Sequence, residues 1–119
     1  MTEPADDLAG PPPGDLSLGE LQTLIERMYS AKDRRRGPEG TFMWLAEEIG
    51  ELAADVRDYG SGRQTKSALA AEFADVLAWL ATLANVLEVD LAEAVRLKYG
   101  GGCPGCAAMV CHCDDEVKP

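Results

Sequence analysis

The chain is short of histidine, of aromatic rings and of positive charge. Its one histidine, His112, lies close to the C-terminus, so the body of the chain lacks the ligands of a zinc centre or of a Glu-x-x-His di-iron site. Eleven Lys and Arg stand against 21 Asp and Glu, a formal net charge of −10, which disfavours sequence-independent binding to nucleic acid or to an anionic membrane. No apolar run approaches the roughly 18 residues of a spanning helix. The first residues lack the basic start and apolar middle of an export signal, so the expectation is a cytoplasmic protein without a membrane or nucleic-acid partner. No strand alternation, internal repeat or sustained heptad pattern is present. A chain of 119 residues suits one domain with a modest core, and an apolar stripe left uncovered would invite a partner subunit.

Helical spacing fills the gap these absences leave. Residues 1–14, with Pro4, Pro11, Pro12 and Pro13, offer little to bury and are expected to form a disordered arm. Asp15 or Ser17 suits the N-cap of a first helix, in which Leu18, Leu21, Leu24, Ile25 and Met28 recur at three- and four-residue steps as far as Ala31. Lys32, Arg34, Arg35 and Arg36 then form a basic turn, broken by Gly37-Pro38. Phe42, Leu45, Ile49, Leu52, Ala53 and Val56 predict a second helix from Glu39 to Tyr59, ended by Gly60-Ser61-Gly62. A third, expected to be the longest and most buried, runs from Thr65 to Leu87 with Leu69, Phe73, Val76, Leu77, Leu80 and Leu83 on its apolar face. Asp90 suits the cap of a fourth, through Leu91, Val95 and Leu97 to Lys98, stopped by Gly100-Gly101-Gly102. The expected fold is all-α, an antiparallel four-helix bundle over residues 15–99 followed by a Cys-rich tail over 100–119.

Glu48 and Glu51 are three residues apart and share one helical face, and Glu72 with Asp75 repeats that spacing on the next long helix. Glu48 has Leu45, Ile49 and Leu52 as neighbours and Glu72 lies between Leu69 and Val76, so both pairs border stripes that face inward. A solvated acidic face is the ordinary reading of one such pair; two on consecutive helices weigh against it. Gathering four carboxylates away from water is prohibitive without a counter-charge, so the pattern predicts a bound divalent cation. An all-oxygen set selects Mg²⁺, with Mn²⁺ able to substitute, and Mg²⁺ keeps positions open for substrate phosphates.

The segment from Trp44 to Leu52, Trp-Leu-Ala-Glu-Glu-Ile-Gly-Glu-Leu, followed by Glu72 to Leu80, Glu-Phe-Ala-Asp-Val-Leu-Ala-Trp-Leu, resembles the paired signature of the MazG-like nucleotide pyrophosphohydrolases. The resemblance runs from about Leu18 to Tyr99. It implies hydrolysis of a nucleoside triphosphate between its α and β phosphates, giving a monophosphate and pyrophosphate, by an all-α enzyme that assembles as a homodimer or homotetramer. Glu48, Glu51, Glu72 and Asp75 match the Mg²⁺ ligands. Glu47 looks like the extra acid that in some members holds a second metal or activates water; an exposed surface acid is the alternative. Lys32, Arg34, Arg35 and Arg36 are candidate phosphate contacts or a solvated basic turn, and Lys98, beside Tyr99, is another candidate for the phosphates. Asn85 suits either a base or sugar contact or a bond between helices. Trp44 and Trp79 suit a core or interface, or stacking on a base.

Cys103-Pro-Gly-Cys106 and Cys111-His-Cys113 place four thiols within eleven residues. They are candidate ligands of a structural Zn²⁺, with His112 able to replace one thiolate; disulfides, free thiols or an iron–sulfur cluster are the alternatives. The rival to an enzyme is a non-catalytic helical module that binds nucleotide or protein and displays this knuckle for docking.

Overall fold

A computed structural model of the chain describes residues 14–116 and 118. The arm expected over residues 1–14 lies, apart from Gly14, outside the described residues. Ser17 opens the first helix: its Oγ accepts from the backbone N–H of Glu20 at 3.0 Å, and the Glu20 carboxylate accepts from the Ser17 N–H at 2.7 Å. This reciprocal cap satisfies N–H groups that the first turn leaves without helical partners. Helix α1 covers Leu18–Gly60 and is broken once, at Gly37 (φ 82°, ψ 173°). Helix α2, Lys66–Val86, starts at Thr65, whose hydroxyl accepts from the Ala68 N–H; α3, Leu91–Tyr99, starts at Asp90, which accepts from the Glu93 N–H. All regular structure among the described residues is helical.

The basic run corrects one expectation. Residues 32–36 are not a turn but continue the first arm of α1 to the break. Lys and Arg are strong helix formers, and nothing in the run interrupts the ladder. Only Gly37, which tolerates positive φ, and Pro38, which disfavours helical backbone before it and suits a first turn, divide the helix. The two arms of α1 and the pair α2 and α3 therefore give the four expected helical segments.

A second correction concerns length and exposure. The Thr65–Leu87 helix is the most buried segment but not the longest: α2 buries Ala81, Thr82 and Ala84 in its 21 residues, whereas the 43 residues of α1 bury Ile25, Asp33, Thr41 and Leu45. Larger members of the expected stripe stay in solvent, with Phe42 55% and Phe73 56% exposed and Ile49, Val56, Leu77, Leu80 and Leu87 also uncovered. Few positions are fully covered where the helices meet, so each keeps an apolar strip that α1 and α2 do not cover for one another. Helix α2 also carries an 18-residue window of mean hydropathy 1.4, long and apolar enough to cross a membrane, contrary to the expectation that no such stretch exists. Glu72 and Asp75 sit within it, and carboxylates are costly in a hydrocarbon interior.

Gln22 locks the far end of the bundle. Its side-chain amide donates to Asn85 Oδ1 at 3.0 Å and to the Val89 carbonyl at 2.9 Å, its oxygen accepts from the Leu91 N–H at 2.7 Å, and Asn85 donates back to the Gln22 carbonyl. Two amides thereby hold the end of α2 and the start of α3 against α1.

Candidate active site

Glu48 and Glu51 stand one turn apart on the second arm of α1, and Glu72 and Asp75 stand one turn apart on the facing α2. Carboxylate oxygens of Glu48, Glu72 and Asp75 gather within 4.8 Å of one another. Glu51 is exposed beside them and does not join that group, although its charge acts on both glutamates. Glu47 is exposed, lies on the Trp44 side of the helix, and exerts the weakest of the repulsions felt by Glu48.

One oxygen of Glu48 and one of Glu72, Oε1 in each case, is sealed from solvent without a hydrogen-bond partner. No ion pair among the described residues involves any of these acids. Loss of hydration is the main cause holding the Glu48 and Glu72 carboxyls above their usual range; Glu51 and Asp75 add repulsion to Glu48, and Asp55 and Glu51 to Glu72. Unpaired buried oxygens, mutual repulsion and an all-oxygen donor set fit a hard divalent cation.

Asp75 also faces a second space. A cavity of about 340 Å³ between the first arm of α1 and α2 is lined by Tyr29, Lys32, Asp33, Arg36, Asp75 and Trp79, with Ile25, Ala78 and Thr82 as its floor. Asp33, only 3% exposed, was missed in the sequence, where it reads as one acid in a basic run. Its Oδ1 accepts two bonds from Arg36, both at 3.1 Å, whereas its Oδ2 is buried and unpartnered. The signal that would have found it is the Asp33/Arg36 spacing of three, which sets the pair on one helical face.

The basic candidates part company. Arg36 is engaged within the protein: it bonds Asp33, donates to Thr41 Oγ1 at 3.1 Å across the Gly37 break, and lies 4.9 Å from the Trp79 ring centre. Arg34 pairs outward with Glu26 at 2.8 Å, and Arg35 is exposed. Lys32 alone of the four borders the cavity together with Arg36. Lys98 lies 5.7 Å from the ring of its neighbour Tyr99. Asn85 is taken up by Gln22. Trp44 and Trp79 stack on each other, with centroids 5.8 Å apart and planes 10° from parallel.

At the other end, the four cysteine sulfurs also lie within 4.8 Å of one another, and His112 is not among them. The Cys106 thiol is held at about 6, chiefly by the backbone N–H groups of His112 and Ala108, while Cys111 and Cys103 push Cys113 up to about 12.

Residues 36–99 match the family model of the MazG nucleotide pyrophosphohydrolase domain. The match contains all four metal-ligand candidates and stops before the cysteines. The chain is similar as well to a dATP/dGTP diphosphohydrolase of Cyanophage S-2L, with 38% identity over 82 residues that cover 69% of this chain and 70% of that protein.

Proposed function

The chain belongs to the MazG nucleotide pyrophosphohydrolase family, and from that premise we propose that it hydrolyses nucleoside triphosphates between the α and β phosphates with Mg²⁺ held by Glu48, Glu72 and Asp75 and completed by Glu51. The observation that carries this reading is the pair of sealed, partnerless oxygens on Glu48 and Glu72, within reach of Asp75. Held by these carboxylates, a divalent cation would supply neutralisation of phosphate charge and a lowered pKa for a bound water. Every other part is played by side chains. Asp75 joins the acidic cluster to the cavity, so a triphosphate reaching the cluster leaves its nucleoside beside Tyr29 and Trp79. Lys32, at the rim, meets phosphate oxygens, and the free Oδ2 of Asp33 accepts a hydrogen bond from the base or sugar. Arg36 fixes Asp33 and shields the face of Trp79. Glu51 flanks the gathered oxygens more closely in effect than Glu47, so it is the better-placed acid to complete the centre.

The relative's printed activity makes dATP and dGTP the first substrates to test. A second copy of the chain is proposed to cover Phe42, Met43, Leu83 and Leu87, which line an apolar trough that one chain leaves open. The test is pyrophosphate release from a panel of ribo- and deoxyribonucleoside triphosphates with Mg²⁺, comparing wild type with Glu48→Gln and Asp75→Asn. Metal-dependent monophosphate and pyrophosphate, lost in both variants, is the expected result. Turnover to diphosphate and orthophosphate, or turnover surviving in both variants, refutes the proposal.

A further inference from the structure

The tail beyond α3 has no helix among its described residues, yet its backbone is tightly specified. Gly102 follows the last turn at φ 112°, and a side chain there would meet the Ala108 carbonyl at 2.9 Å, so glycine is required on steric and conformational grounds. The Cys103 N–H donates to the Ala108 carbonyl and the Ala107 N–H to the Cys103 carbonyl, with Ala107 at a positive φ of 64°. These bonds close a turn that points Cys103 and Cys106 at one space. Cys111 and Cys113 come back to the same space from a second turn.

Backbone N–H groups are aimed at the sulfurs: Gly105 donates to Cys103 at 3.3 Å, Cys113 to Cys111 at 3.3 Å and His112 to Cys106 at 3.5 Å. Such bonds stabilise thiolates rather than thiols. The Cys103 and Cys113 sulfurs are 3.8 Å apart, the edge of a tetrahedron whose centre lies about 2.3 Å from each sulfur, the Zn–S distance. The remaining sulfurs lie within 4.8 Å. The structure assigns Cys103, Cys106, Cys111 and Cys113 as a tetrathiolate Zn²⁺ site that folds the C-terminal tail and lies outside the hydrolase domain. Binding displaces whatever thiol protons remain, at most four, as four Zn–S bonds form, with no change of oxidation state. Four protein ligands leave no position for substrate, so the site is structural. Between its two halves it holds Met109 and Val110 at 81% and 84% exposure, an apolar tip that no bundle packing explains.

The experiment uses the full chain, purified without chelator, with metal content read by plasma mass spectrometry beside the absorption of a Co²⁺-exchanged sample. The expected result is one zinc per chain, a tetrahedral thiolate spectrum with Co²⁺, and a loss of at least about ten-fold in bound zinc in Cys103→Ser/Cys111→Ser. Limited proteolysis should cut that variant beyond Gly102 while its helical circular dichroism stays unchanged. A chain without zinc that takes up no Co²⁺ overturns the assignment. So does iron in place of zinc, or zinc retained by the double variant.

Discussion

Glu48, Glu72 and Asp75 stand on two long helices, whereas the four cysteines stand on a stretch with no helix of its own. The contrast extends to how each cluster is satisfied. The acids keep buried oxygens without donors and repel one another, while the sulfurs of Cys103, Cys106 and Cys111 receive backbone N–H groups. A cluster on helices can hold an unfavourable arrangement because helix packing elsewhere sustains it, and the proposed function places the substrate on the open side that results. In a tail with so little apolar burial, the cluster itself must supply the order. Residue type aside, the two clusters look alike; their surroundings separate an unsatisfied, mutually repelling one from one whose sulfurs already receive hydrogen bonds.

Glu48→Gln tests the contrast between the two clusters most severely. It is expected to lower kcat/KM at least about 100-fold in steady-state pyrophosphate release, and in EDTA to melt above wild type, because a buried repulsive charge is gone. A variant that is inactive and less stable without metal would show that the carboxylate is structural. Next in size, Asp33→Ala should cost about 1–3 kcal/mol in denaturant unfolding, since Arg36 loses its buried acceptor, and should raise KM for the nucleotide.

A pH series sharpens the same contrast. Glu48 and Glu72 are raised above 4.5, so the folded, metal-free chain holds protons that the unfolded chain has released. Its Tm should therefore fall as pH rises from about 4.5 through the raised values, and saturating Mg²⁺ should flatten that slope. Glu20 and Asp58, both lowered, act in the opposite sense only below their ordinary values. Gln22→Ala should cost about 1–2 kcal/mol with kcat unchanged, because the amide lock is remote from the acids. The smallest effect belongs to Cys106→Ser: kcat at saturating Mg²⁺ should equal wild type, and a large fall would join two sites that the comparison separates.

Helices and the caps at Ser17 and Asp90 were legible because apolar spacing and capping side chains act locally, whereas the capping role of Thr65 emerges only from the structure. The acid pairs were legible too, since a spacing of three fixes a common face. Residues 32–36 were misread because charge was taken as a turn signal, although only Gly37 and Pro38 break the ladder. Gln22 was invisible for a different reason: its partners Asn85, Val89 and Leu91 lie across the bundle, and no local pattern announces a long-range hydrogen bond. Asp33 was hidden among basic neighbours, where only its spacing of three to Arg36 marks it.

The bare flanks of Phe42 and Phe73 offer a second copy of the chain a surface through which assembly would tie folding to concentration. If each chain's outer strip is finished by another chain, mass action governs how much native protein exists. Scarce chains would lose structure and catalysis together, and abundance would act as the enzyme's first regulator without any effector.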